Sequence, residues 1–168
     1  MKRTTFIIAI LAVGVFTLSG LFIVRSYSNS VVQPIAFNHA KHLEKGVECF
    51  GCHATVKESA IAGKPRLETC MLCHETPLGQ TAAEEAVRQY AARKEEIPWR
   101  RLFKLPEHIF FPHQVHVVGA QIECKSCHGA IGESATPPTK PLIKFTMNDC
   151  LACHRSKGAS TDCIACHR

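Results

Sequence analysis

Five stretches of this chain share one spacing. They are CFGCH at 49–53, CMLCH at 70–74, CKSCH at 124–128, CLACH at 150–154 and CIACH at 163–167. All ten cysteines fall in these Cys-x-x-Cys pairs, and a histidine follows every pair. Two intervening residues let one helical turn present both sulfurs to the same edge of a ligand. Two such thiols can add across the two vinyl groups of one porphyrin, and the next residue, His, can then reach under the iron. A zinc reading needs the pairs to combine in twos to make four-thiolate sites, five is odd, and the histidines would be idle. A disulfide framework suits a secreted chain but also leaves the histidines unexplained. The pattern therefore predicts five covalently bound haem c groups. Cys49 and Cys52, Cys70 and Cys73, Cys124 and Cys127, Cys150 and Cys153, and Cys163 and Cys166 would anchor them. His53, His74, His128, His154 and His167 would be the proximal ligands.

Five other histidines remain: His39, His42, His108, His113 and His116. Five irons offer five opposite axial positions, so the count closes with every haem ligated by two histidines. His39/His42 and His113/His116 each form a His-x-x-His unit, whereas His108 stands outside. Residues three apart on a helix point the same way, so the two members of a unit cannot grip one iron from opposite faces. Each unit must instead bridge two haems. His39 is assigned to the haem of Cys49/Cys52 and His113 to that of Cys124/Cys127; His42, His108 and His116 are not paired. The methionines are Met1, Met71 and Met147. Met71 lies inside a haem motif, and Met147 reads as a porphyrin contact rather than a ligand. With imidazole in place of thioether, most potentials are expected at or below zero. Should His108 not be a ligand, one five-coordinate haem would be open, and a catalytic reductase of nitrogen or sulfur oxyanions becomes the alternative.

These residues need elements to hold them. FNHAKHLEKGVECFGCH (37–53) and FPHQVHVVGAQIECKSCH (111–128) are copies of one unit, F-x-H-x-x-H followed by Cys-x-x-Cys-His. The halves run from about 35 to 80 and from about 108 to 168, with a helical linker at 81–97. In the linker, Thr81 and Glu84 form a capping-box signature and Pro98 is expected to end the helix. The linker reads as a spacer, with a partner-docking face as the alternative. WRRLFKLPEHIFFPH (99–113) is expected to pack over haem edges, and GAIGESATPPTKP (129–141) to be a loop. The fold class is mainly α with much irregular loop, wrapped around the haems, with no sheet of any size. Below 140 folding residues for five haems, a compact apolar core is not expected. The formal charge of +6 would be offset by propionates carrying about −10, leaving about +1 oxidised and about −4 reduced. The basic residues thus balance propionates, and nucleic-acid binding is excluded.

The first 30 residues read as a separate segment, with 31–168 as the haem domain. Lys2 and Arg3 precede an uncharged run from Phe6 to Val24, 19 residues long. That is near the length of a spanning helix and longer than a secretory h-region. An uncleaved signal anchor is expected, with cleavage near Ser26–Ser30 and a free periplasmic shuttle as the alternative. Only Arg25 follows the run, so the remainder faces outward, into a bacterial periplasm.

The stretch FNHAKHLEKGVECFGCH resembles the class III cytochromes c, small bis-His multihaem proteins. LPEHIFFPHQVHVVGAQIECKSCHG resembles, more narrowly, the membrane-anchored multihaem subunits of alternative complex III and of menaquinone reductases. The resemblance covers about 35–168, and departs in having five motifs. It implies that the first His of each unit ligates the next haem in sequence and the second a more distant one. It also implies an electron-transfer subunit of the bacterial inner membrane, not an enzyme in its own right. Its partners would be membrane-embedded quinone-site and iron–sulfur subunits together with periplasmic cytochromes.

Overall fold

The computed structural model describes residues 30–167, together with 7, 8, 11 and 13–22. The chain divides into two compact units, Met1–Val31 and Val32–Arg168. In the first, residues 13–22 are helical. No helix among the described residues is long and apolar enough to cross a membrane. The expected span includes 6, 9, 10, 12, 23 and 24, which lie outside the described residues, as do Lys2, Arg3 and Arg25.

The second unit is a string of short helices joined by irregular chain. They are α1 (His39–Glu44), α2 (Cys49–Cys52), α3 (Leu67–His74), α4 (Ala82–Arg93), α5 (Cys124–His128), α6 (Met147–Lys157) and α7 (Cys163–Cys166). Short 3-10 turns lie at Ala54–Lys57 and Ile131–Glu133, and a π turn at Val115–Gly119. The described residues hold no sheet, only an isolated antiparallel bridge between Ile109 and His167.

Every Cys-x-x-Cys pair sits on a helix, either as the whole of a one-turn helix (α2, α5, α7) or within a longer one (α3, α6). The two copies of the repeat differ by one residue, six against seven between the second His and the first Cys. Both close the same bond: Val47 N–H donates to the His42 carbonyl at 3.0 Å and Ile122 N–H to the His116 carbonyl at 3.0 Å. The π turn takes up the extra residue, as such turns do when a helix gains one. The left-handed backbone of the connection falls on Gly46 in the first copy and on Gln121 in the second.

The 81–97 segment is more than a spacer. Thr81 caps α4 by accepting from Glu84 N–H. The helix ends at Lys94, whose backbone turns left-handed (φ 56°), well before Pro98. Val87 (8% exposed) then packs with Ile35 (4%) and Ile97 (5%), flanked by Leu67, Cys70, Met71, Tyr90 and Trp99. Glu96 reaches across to accept from Leu67 N–H at 2.9 Å, satisfying the start of α3. This cluster holds three of the four buried apolar side chains among the described residues; Val56 is the fourth. Trp99 belongs to it and lies edge-on to Phe37 at 6.2 Å.

Candidate haem-binding site

Asn38 starts α1, its side-chain oxygen accepting from Lys41 N–H at 2.8 Å. The turn it sets lets His42 Nδ1–H donate to the Asn38 carbonyl at 2.8 Å. The second copy repeats this, His116 Nδ1–H donating to the Pro112 carbonyl at 2.9 Å. His53 donates likewise to the Gly63 carbonyl (2.9 Å), His113 to the Ala60 carbonyl (2.9 Å) and His154 to the Ser160 carbonyl. A carbonyl can only accept, so the proton sits on Nδ1 and the Nε2 lone pair is free for a metal. Gly63 has φ of +77°, and a Cβ there would meet Thr55 Oγ1 at 2.8 Å. Only glycine turns that carbonyl toward His53 without strain.

The phenylalanine of F-x-H-x-x-H has its own role, which the sequence reading used only as a repeat marker. Phe37 stacks on His42 (centroids 4.4 Å, planes 24° apart) and meets His39 edge-on at 4.7 Å. Phe111 does the same with His116 (4.2 Å, 24°) and His113 (5.0 Å, 89°). One ring thus fixes both imidazoles of its unit. Phe103 stands edge-on to His128 at 4.4 Å. The signal was available: both units begin with Phe.

The histidines then face one another in pairs. Ring centroids are 6.3 Å apart for His113 and His128, 6.1 Å for His116 and His154, and 6.1 Å for His42 and His74. His108 and His167 lie at 5.5 Å with planes 14° apart. His39 sits beside His53 and His42. The residues assigned together from the sequence, His39 with His53 and His113 with His128, are neighbours, and His42, His116 and His108 each gain a partner. A metal–imidazole bond of about 2 Å, plus about 1.1 Å from nitrogen to ring centre, puts two trans imidazoles about 6.2 Å apart. Three pairs match that separation. His108 and His167 need to part by about 0.7 Å to reach it. The donor set and the spacing fit a haem iron between the rings.

His108 is held to its partner through the backbone. Phe110 N–H donates to the Cys166 carbonyl at 2.7 Å, and Ile109 bridges to His167. The halves are also tied by His113, whose acceptor Ala60 lies in the first half. His74 differs from the five histidines whose Nδ1 donates to a carbonyl: its Nδ1 lies 3.4 Å from the Glu84 carboxylate without completing a hydrogen bond, and His39 Nδ1 is buried with no partner. Met71 packs into the apolar cluster, and Met147 is exposed at the start of α6.

Burial, with His53 and His42 close by, lowers the pKa of His39. Burial, with His113 and His53 close by, does the same to His128. Both favour the neutral imidazole that binds iron. Burial pushes the thiols of Cys49, Cys52, Cys70, Cys127 and Cys150 upward. Their thiol neighbours trace a spatial order. Cys70 lies near Cys52, Cys49 near Cys124, Cys127 near Cys153 and Cys150, and Cys150 near Cys166. The motifs therefore succeed one another as 70/73, 49/52, 124/127, 150/153 and 163/166, with the first two reversed relative to the sequence.

Comparison with protein families matches residues 24–100 to the Class III cytochrome C family and residues 109–168 to Cytochrome c7 and related cytochrome c. The chain belongs to the class III multihaem cytochromes c. The first match spans two Cys-x-x-Cys-His motifs and the second three, divided where the repeat divides. No curated protein matches the chain. As a class III cytochrome, the protein carries covalently bound haem c and transfers electrons. His108 lies one residue before the second match.

Proposed function

We propose that this cytochrome carries five haems, each ligated by two histidines. It would pass electrons between a quinone-linked complex of the bacterial inner membrane and periplasmic redox partners. The observation that carries this reading is the set of five imidazole proximities, one for every Cys-x-x-Cys-His motif. The pairs are His39 with His53, His42 with His74, His113 with His128, His116 with His154 and His108 with His167.

Bound haem supplies one-electron exchange between ferric and ferrous iron. The Nδ1 bonds of His42, His53, His113, His116 and His154 would orient their Nε2 atoms, and a pair of histidines would hold each haem, leaving no open site for a substrate. Each His-x-x-His unit serves two neighbouring motifs, so its helix keeps adjacent haems within tunnelling reach. Anchoring rests on Lys2, Arg3 and the apolar run Phe6–Val24, and the quinone-linked partners rest on the resemblance of 105–129 to subunits of such complexes.

Low-temperature EPR of the oxidised protein, with CO added to the reduced form, tests the ligation. Low-spin iron throughout and no CO binding are expected. A high-spin component that binds CO would replace this reading with a catalytic reductase. Membrane fractionation of the native protein tests the setting: it should pellet with membranes, and quinone-site and iron–sulfur subunits should come with it.

A further inference from the structure

Given the haem ligation proposed above, on which this inference rests, we propose that Glu84 tunes the haem of Cys70/Cys73. By polarising His74, it would make that haem the lowest in potential of the five. Five histidines (His42, His53, His113, His116 and His154) direct Nδ1 at a neutral backbone carbonyl. His74 directs Nδ1 at a carboxylate oxygen, Glu84 Oε1, at 3.4 Å. That nitrogen is buried and completes no hydrogen bond, so the carboxylate acts on it as a neighbouring charge. Glu84 is itself only 8% exposed.

Glu84 is also held in place. The same oxygen accepts from Leu78 N–H at 2.6 Å and from Arg88 Nη1 at 3.0 Å. These bonds fix the carboxylate on the first turn of α4, opposite the last turn of α3, where His74 sits. A carboxylate on the far nitrogen of a ligating imidazole raises its basicity, and greater donation favours ferric over ferrous iron. A negative charge in a half-buried site acts in the same direction. Glu84 is thus a positioning residue that acts on the iron through His74. The haem it acts on lies at one end of the thiol succession, since Cys70 has Cys52 as its neighbouring thiol from another motif. The array would then carry its most reducing member at a terminus, on the side where Cys70 packs against Ile35.

The test is a potentiometric titration of the holoprotein, wild type against Glu84→Gln and Arg88→Gln, followed optically and by EPR. Glu84→Gln should raise one midpoint potential of the five, the lowest. The expected size is roughly tenfold in the ferric/ferrous equilibrium, about 59 mV for one electron. Arg88→Gln removes the neutralising cation and leaves the carboxylate, so it should move the same midpoint down. Opposite shifts at one haem support the tuning role, because loss of a merely structural ion pair would move both variants the same way. No shift, shifts of like sign, or equal shifts of all five midpoints would overturn it. If Glu84→Gln does not assemble, Arg88→Gln alone decides: a single midpoint moving down supports the role, and none moving refutes it. Haem content and CO binding of the same wild-type sample report separately on the underlying ligation.

Discussion

Replacing His108 by alanine isolates one haem. His108 faces His167 at 5.5 Å, and the other four distal histidines each face a different proximal one. No spare histidine is therefore left to fill the vacated axial position. The backbone around the position should persist, since the Phe110–Cys166 bond and the Ile109–His167 bridge do not involve the imidazole. Glu107 and Ile109 flank the position, and neither is a soft or imidazole ligand. Of the five motifs, one alone is opened. The reduced His108→Ala protein should bind one CO per chain, against none for wild type, with a difference amplitude one-fifth of that for all five haems. Added imidazole should refill the site and abolish CO binding. Titration of CO against the reduced protein, scaled to haem content, reads the stoichiometry. A variant that binds no CO, or a wild type that already binds one, would refute the pairing of His108 with His167.

His39→Ala and His42→Ala should each open one haem, and combining them should open two, because the members of a unit face different proximal histidines; CO stoichiometry checks this. Ile97→Ala removes a side chain from the small cluster with Ile35 and Val87 and should cost about 2–3 kcal/mol, the low end for such changes at a site able to collapse; denaturant melts of the holoprotein measure it. Thr146→Ala should cost about 1 kcal/mol by uncapping α6. The partner in that cap, Asp149, has its pKa lowered below 3.8 by bonds from the Thr146 hydroxyl and then the Thr146 N–H. Its contribution is therefore present above 3.8 and lost as pH falls through the depressed value. Acid melts should show this loss in wild type and a smaller one in Thr146→Ala, which keeps the bond from the backbone N–H at 146.

The cysteine–histidine spacing made the attachment sites legible, because covalent chemistry dictates it residue by residue. The helical linker was legible too, since Thr81 and the helix-forming run from Ala82 act locally. Its end was not: Lys94 adopts a left-handed turn that no local preference favours, and packing of Ile97 on Val87 and Ile35 decides it. Nor was Glu84 read correctly. Its spacing from Thr81 suggested a reciprocal cap, yet its carboxylate goes to Leu78, Arg88 and His74. The reciprocal cap sits instead at Thr146 and Asp149, which the sequence reading passed over because Asp replaces the usual Glu. Partners for His42, His116 and His108 lay beyond reach, because they meet residues 32, 38 and 59 positions away. Periodicity does not report contacts at that range.

Those separations bear on how the chain assembles. With iron gripped on both sides, as proposed above, each pairing would become a cross-link. The links span 14 residues (39–53), 32 (42–74), 15 (113–128), 38 (116–154) and 59 (108–167). Closures of this size each remove on the order of 3–4 kcal/mol of chain entropy from the unfolded ensemble. That would matter where so few apolar side chains among the described residues are buried, since order would then depend on metal ligation as much as on packing. The two spans of each His-x-x-His unit interlace, and in the second half a third encloses them. The 108–167 loop encloses both 113–128 and 116–154, so ligation at His167 ties off a loop that already contains two others. A nascent chain stopped short of Cys163 could complete four of the five stitches but would leave its second half without the outermost one.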